Sequence, residues 1–219
     1  MNSNSIQRKV LGWIVTLITP LVLLMLSIRI MITPVFAQVE YRMPGFPQDP
    51  YGFTMEERLQ WAKPSINYLV NTQDISYLER LRFEDGEAIF NERELSHMQD
   101  VKAVVTGMRI GLTSAMVLLL VITVIAEKGG WKPEVLLSYR RGGWAIIGLI
   151  IAVLLFVLLN FNQLFSWFHQ LFFVNGTWQF FTSDTLIRLF PMRFWQDAFI
   201  FVGLLSAIMG GMLIFFTRS

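Results

Sequence analysis

The chain has 219 residues, of which 54% are hydrophobic and only 16% charged, with a formal net charge of +2 and no cysteine. A composition so apolar excludes an ordinary soluble domain of this length, because long segments must face lipid rather than water. The lack of cysteine excludes disulfides and a thiolate nucleophile.

Crossing roughly 30 Å of hydrocarbon takes about 20 apolar residues in a helix that rises about 1.5 Å per residue. Four runs meet that length: residues 11–32, 103–126, 144 to 160 or 165, and 198–216. The fold class expected is an all-α membrane protein of four transmembrane helices, with an extracytoplasmic cap between helices 1 and 2. The first run follows Arg8 and Lys9 and ends near Val35, Phe36 and Ala37, a pattern a signal peptidase could accept. Its length exceeds the roughly 7 to 15 residues of a signal core, so it is read as a retained span. The organisation predicted is 1–33 as N-terminus and first helix, 34–102 as cap, and 103–219 as helices 2–4. A glycine-punctuated connection at 127–143 and an aromatic-rich outer loop at 168–197 lie within the last part.

Charge sorts the connections. Residues 40–100 hold twelve acidic side chains, and residues 34–102 only seven basic ones. The remaining flanks are basic, with Arg8, Lys9, Lys128, Lys132, Arg140, Arg141 and Arg218. The positive-inside rule puts those flanks, and both termini, in the cytoplasm.

After the first span, Pro34, Pro44, Pro47 and Pro50 with Gly45 and Gly52 predict an irregular connector. Thr54 and Glu57 have the spacing of a capping box and start a short helix, interrupted near Pro64 and resuming through Ile66 and Leu69. Residues 74–81 read as a second short helix or turn. Glu84, Asp85 and Gly86 read as a tight turn. From Asn91 a helical pattern of Glu94, Leu95, Met98, Val101 and Val105 enters the second span without a breaker. Residues 161–173 crowd aromatics around His169, followed by Asn175, Gly176, Thr177 and Trp178. Residues 184–199 predict an amphipathic segment on the membrane surface, broken at Pro191.

His97 and His169 are the two histidines of the chain, and the topology brings both to the outer surface at the ends of spanning helices. The residues alone leave three readings open: tolerated interfacial tips, a paired acid and base, or a metal site with Asp100 as third ligand. Asp100 lies one helical turn beyond His97, on the same face and within hydrogen-bonding reach. Lys102, Arg109 and Arg29 read either as snorkelling anchors or as cations that support an oxyanion or a headgroup phosphate. No paired-His metal spacing and no nucleotide-binding glycine motif is present.

The run Glu94-Leu95-Ser96-His97-Met98-Gln99-Asp100-Val101-Lys102 contains a His-x-x-Asp-Val-Lys pattern. Phe168-His169-Gln170-Leu171-Phe172-Phe173 is followed by Trp178, Asp184-Thr185-Leu186-Ile187, Phe190-Pro191 and Phe194 to Asp197. In that order, these two motifs resemble the signatures of the lipoprotein intramolecular transacylase family. The resemblance implies four helices under an extracytoplasmic cap and an enzyme of the bacterial cytoplasmic membrane. It implies a diacylglyceryl-modified lipoprotein as substrate and membrane lipid as surroundings, with no nucleic acid, cofactor or metal. The acyl chain at sn-2 of the glyceryl group would move to the amino group of the N-terminal cysteine, giving a lyso-form lipoprotein. By motif position the catalytic pair would be His97 and His169. Asp100, Lys102, Arg109, Trp178 and Asp184 would support the reaction or bind substrate. The alternative is a non-enzymatic membrane protein whose cap binds a lipid or protein partner.

Overall fold

The structure is a computed structural model that describes residues 3–173, 176 and 178–218. Among them it is almost wholly helical, with eight α-helices and one isolated β-bridge between Arg82 and Ala88. The helices are α1 (Ser3–Met31), α2 (Pro34–Glu40), α3 (Met55–Val70), α4 (Ser76–Glu79), α5 (Glu92–Lys128), α6 (Lys132–Phe172), α7 (Thr185–Leu189) and α8 (Met192–Phe216). Four of them, α1, α5, α6 and α8, are long and apolar enough to cross a membrane, as the four hydrophobic runs predict. No more than 28% of the most apolar stretch of any of these helices is buried, so most of that apolar surface faces outward, as lipid requires. Asn175 and Thr177, part of the aromatic-rich stretch, lie outside the described residues.

The chain packs as two compact units, one of residues 1–29, 108–156 and 200–219, the other of residues 30–107 and 157–199. In the first unit, helices meet through small residues and hydroxyls, because lipid tails give apolar side chains little reason to prefer one another. Ser206 Oγ donates to Ser27 Oγ at 2.8 Å between α8 and α1, and the hydroxyls of Thr123 and Tyr139 join α5 to α6 at 2.9 Å. A Cβ on Gly142 would lie 2.6 Å from Thr19 Cβ, and one on Gly210 would lie 3.1 Å from the Gly143 carbonyl oxygen. Gly142 and Gly143 do not punctuate a loop as the sequence suggested; their missing side chains let α6 approach α1 and α8. The connection read at 127–143 shrinks to Gly129–Trp131. There Gly130 takes a positive φ of 71°, and Trp131 N–H bonds back to Ala126 O at 3.0 Å, a Schellman-type stop.

The second unit is built on a cluster of Tyr68, Leu78, Ile89, Phe90, Met98, Leu186 and Leu189. The Thr54–Glu57 capping box forms as its spacing predicts, with Glu57 N–H donating to Thr54 Oγ1 at 3.2 Å and Thr54 N–H to Glu57 Oε2 at 2.7 Å. The tight turn forms around Gly86, whose φ is 89°. Two proline readings change. Pro34 opens α2 instead of denying helix, since the first helical position needs no N–H. Pro64 does not interrupt α3; the carbonyl it strands belongs to the exposed Gln60, where water can satisfy it. Arg188 of α7 pairs with Asp49 at 2.8 Å and lies 3.4 Å over the Phe53 ring, and Tyr41 Oη donates to Leu189 O at 2.7 Å.

Glu40, at the end of α2, is 5% exposed, and its Oε1 has no hydrogen-bond partner among the described residues. It faces Asp197 of α8, which is itself paired with Arg193. Burial, then the hydrogen bond and charge of Asp197, push the Glu40 carboxyl up to about 7, against the opposing pull of Arg193.

Two outcomes are expected. Gly142→Leu should overpack the α1–α6 contact and lower the melting temperature in detergent, at a cost of about 1–3 kcal/mol; unchanged melting would show that the close approach is not needed. Because the Glu40 carboxyl sits above its ordinary 4.5, its contribution is complete below that pH and lost as pH rises through about 7. Glu40→Gln, which keeps a neutral donor, should match wild type at pH 5 and melt higher at pH 8. The expected gain is about 2–4 °C, the scale of 1 kcal/mol in a chain of this size. Parallel melting curves at the two pH values would contradict the assignment.

Candidate active site

Within the second unit, the N-terminal turns of α5 and the last turns of α6 converge on two imidazoles. α5 starts with a reciprocal cap: Glu94 N–H donates to Asn91 Oδ1 at 3.0 Å and Asn91 N–H to Glu94 Oε2 at 2.9 Å. An Asn so placed does the work of the usual Ser or Thr. One turn later comes His97. α6 loses helical geometry at Asn160 (φ −159°, ψ 74°), and Asn160 Oδ1 accepts from Gln163 N–H at 3.2 Å. Asn160 thereby restarts the helix that carries Phe161, Phe165, Phe168 and His169.

The rings of His97 and His169 lie nearly parallel, 22° apart in plane and 6.2 Å between centroids, and the two residues are 8% and 7% exposed. Aromatic rings enclose them. Phe173 touches both, at 4.9 Å from His97 and 5.6 Å from His169. Phe165 and Trp178 lie 4.0 and 5.0 Å from His169, and Phe180 lies 5.3 Å from His97. Trp195 and Phe199 of α8 back Phe165 and Phe168 at 6.1 and 5.9 Å. A cleft of about 310 Å³, lined by Gln170, Phe173, Gly176, Trp178 and Gln179, opens beside them.

The two imidazoles are held differently. His169 Nδ1 is 2.8 Å from the Phe165 carbonyl oxygen. A carbonyl only accepts, so Nδ1 carries the hydrogen, and the neutral ring keeps a free lone pair on Nε2. His97 Nδ1 is buried with no hydrogen-bond partner among the described residues. The expected Asp100–His97 hydrogen bond is therefore not made at Nδ1, although the Asp100 carboxylate lies within electrostatic range of the ring.

The other residues singled out from sequence are distributed differently. Trp178 walls His169. Lys102 turns away to brace the end of α3: its ammonium donates to Asn71 Oδ1 at 3.2 Å and to the Gln73 carbonyl, 4.0 Å above the Tyr68 ring. Asp184 accepts from Asn91 Nδ2 at 3.1 Å, Arg93 Nη2 at 2.7 Å and Phe181 N–H at 2.8 Å, an anchor for the segment before α7. Arg109 belongs to the other packed unit, exposed on α5. Phe180 and Arg93 carry site architecture that sequence reasoning gave no role. Arg93 lies 5.7 and 4.9 Å over the Phe180 and Phe181 rings.

The model of the lipoprotein intramolecular transacylase family, Lit, matches residues 13–195, most of the chain and both histidines. The chain belongs to the lipoprotein intramolecular transacylase family. An uncharacterized protein of Aquifex aeolicus (strain VF5) is 32% identical over 208 residues, covering 95% of this chain and 93% of that protein. The solved membrane-integral transacylase Lit of Bacillus cereus superposes with a TM-score of 0.77 at 17% identity, over 98% of this chain and 95% of that one. A variant of it with one histidine replaced by arginine gives 0.77 at 19% identity, over 98% and 92%. These structural likenesses establish the fold. Family membership adds the activity at its broadest, acyl transfer on lipoproteins by a multi-pass bacterial membrane protein.

The geometry assigns Lys102 to bracing, so Lys102→Met should lower the melting temperature by about 2–4 °C, corresponding to about 1 kcal/mol for the lost hydrogen bonds. Turnover measured well below melting should stay within about threefold of wild type. A large loss of turnover with unchanged melting would return Lys102 to the chemistry.

Proposed function

We propose that this protein converts a diacylglyceryl lipoprotein to its lyso-form by moving the sn-2 acyl chain onto the amino group of the N-terminal cysteine, with His97 and His169 transferring the proton. The observation that carries this reading is the pairing itself. Two histidines from distant parts of the chain are stacked in one aromatic enclosure, and one has its tautomer fixed.

The amine nitrogen attacks the ester carbonyl carbon as His169 Nε2 takes the proton the nitrogen must lose. The tetrahedral intermediate then breaks its bond to the glyceryl sn-2 oxygen, which receives that same proton from the imidazole pair, so both rings end as they began. His97 Nδ1, buried and unpartnered, is the natural group to meet that oxygen. One N–C bond forms, one C–O bond breaks, and one proton passes from nitrogen to oxygen. A centroid separation of 6.2 Å is too long for a hydrogen bond between the rings, but it allows a nitrogen of each to reach one tetrahedral centre.

Charge supports an extracytoplasmic site. The first unit carries Arg8, Lys9, Lys128, Lys132, Arg140, Arg141 and Arg218, whereas the acid-rich 40–100 segment lies in the second. This is the asymmetry of a chain with both termini in the cytoplasm and its histidines on the outer side.

The test is incubation of purified protein with a diacylglyceryl lipopeptide bearing a free N-terminal cysteine, followed by fragmentation in the mass spectrometer, since the rearrangement is isomeric. Wild type should place an acyl chain on the amine, and His97→Ala and His169→Ala should each slow this by about 100-fold or more. Unchanged substrate with wild type would overturn the reaction and leave the lipid- or protein-binding alternative. Wild-type rates in either variant would remove that histidine from the mechanism.

A further inference from the structure

Glu94 is 1% exposed, yet both of its carboxylate oxygens are occupied by backbone donors from two different elements. Oε2 accepts from Asn91 N–H at 2.9 Å, closing the start of α5; Oε1 accepts from Leu186 N–H at 2.7 Å, at the start of α7. Asp184, the N-cap of α7, makes no side-chain cap of its own helix. Its oxygens instead hold Asn91 and Arg93 of the α5 start and Phe181 of its own segment. The first turn of α5 and residues 180–186 are thus clasped by two carboxylates, one buried and one near the surface.

That clasp ends at the reacting groups. Residues three apart on a helix share a face, so Glu94 and His97 present to the same side of α5. The segment Glu94 secures begins with Phe180, whose ring stands edge-on to His97 at 5.3 Å, and Arg93 lies over the same ring. His97 Nδ1 has no hydrogen bond among the described residues to set its rotamer, so ring contacts do that work: Phe180 on one side, Phe173 on another. Remove the carboxylate and Leu186 N–H loses its partner inside the protein, which drives the segment outward toward water and withdraws the Phe180 wall.

We propose that Glu94 is a positioning residue for acyl transfer: its buried carboxylate fixes α7 and the Phe180 wall to α5 and thereby orients His97. This rests on the proposed role of His97 as a proton-transfer group. It goes beyond that role in making the geometry of His97 depend on a carboxylate that never meets substrate.

Glu94→Gln keeps an oxygen for Leu186 N–H and loses only the acceptor for Asn91, whereas Glu94→Ala loses both. With the diacylglyceryl lipopeptide as substrate, Glu94→Ala should lower kcat by tenfold or more with KM changed less than threefold, and Glu94→Gln should recover kcat to within about threefold of wild type. Diethyl pyrocarbonate labelling of His97, quantified by peptide mass, supplies a readout independent of turnover. It should run several-fold faster in Glu94→Ala than in wild type and near wild type in Glu94→Gln. If Glu94→Ala does not fold, Asp184→Ala, which opens the outer half of the clasp, should raise His97 labelling in its place. Unchanged labelling and kcat in the alanine variants would overturn the proposal, as would a glutamine variant as impaired as alanine, since the negative charge itself would then be required. If wild type leaves the lipopeptide unchanged, the reaction falls, and labelling still decides whether Glu94 orients His97.

Discussion

α5 cannot break inside the membrane, because no water is there to take up a freed N–H or carbonyl, and this rigidity sets the geometry of everything at its N-terminal end. The helix runs from Glu92 to Lys128 without interruption. Its first turns therefore present side chains at fixed angles. Glu94 and His97, three apart, face α7 and the end of α6. Met98 and Lys102, four apart, lie on the adjoining face: Met98 in the cluster with Tyr68, Leu78 and Leu186, Lys102 over the Tyr68 ring. One helix thus braces the α3–α4 layer with one face and offers an imidazole with the next.

The partner imidazole depends on the opposite device, a helix that does break. Asn160 leaves helical geometry, caps the turn beyond it, and restarts a segment in which Phe161, Phe165 and His169 recur at intervals of four while Phe168 and Phe172 line the adjoining row. The same i−4 spacing lets the His169 ring donate to the Phe165 carbonyl. The rings around both histidines keep water away, and in the proposed reaction this matters directly. Water competes with the amine for the same ester carbon, and hydrolysis would release the acyl chain instead of moving it.

Much of this was legible in local sequence patterns. The four spans, the Thr54–Glu57 cap, the turn at Gly86 and the unbroken entry from Asn91 into the second span all depend on neighbours within a few residues. The features that misled depend on tertiary surroundings. Gly142 and Gly143 read as loop punctuation until α1 and α8 are seen packed against them. Pro64 reads as a breaker although its stranded carbonyl is exposed. Helical spacing put Asp100 on the His97 face, but it constrains the backbone and not the rotamer, and His97 Nδ1 stays unpartnered. The Glu94–Leu186 hydrogen bond spans 92 positions. An Asn with a Glu three residues later signals the α5 cap; nothing local signals that the second carboxylate oxygen holds another helix.

Among the described residues the polar inventory of the site is small for an acyltransferase, with two imidazoles, two glutamines at the cleft and no serine or cysteine nucleophile walling it. The proposed reaction explains why so little suffices. Nucleophile and ester belong to one substrate molecule, so the main requirement is to hold them together in the right orientation, and well-oriented intramolecular reactions reach effective molarities of about 10⁵–10⁸ M. Proton transfer by a positioned imidazole adds about 10²–10⁴-fold. Exchanging an ester for an amide also runs downhill, so the step needs no activated donor. What the protein must supply is a dry, shaped enclosure in which two ring nitrogens stay where the proton has to leave and arrive. That demand falls on aromatic packing and on hydrogen bonds such as those of His169 to the Phe165 carbonyl and of Leu186 N–H to Glu94.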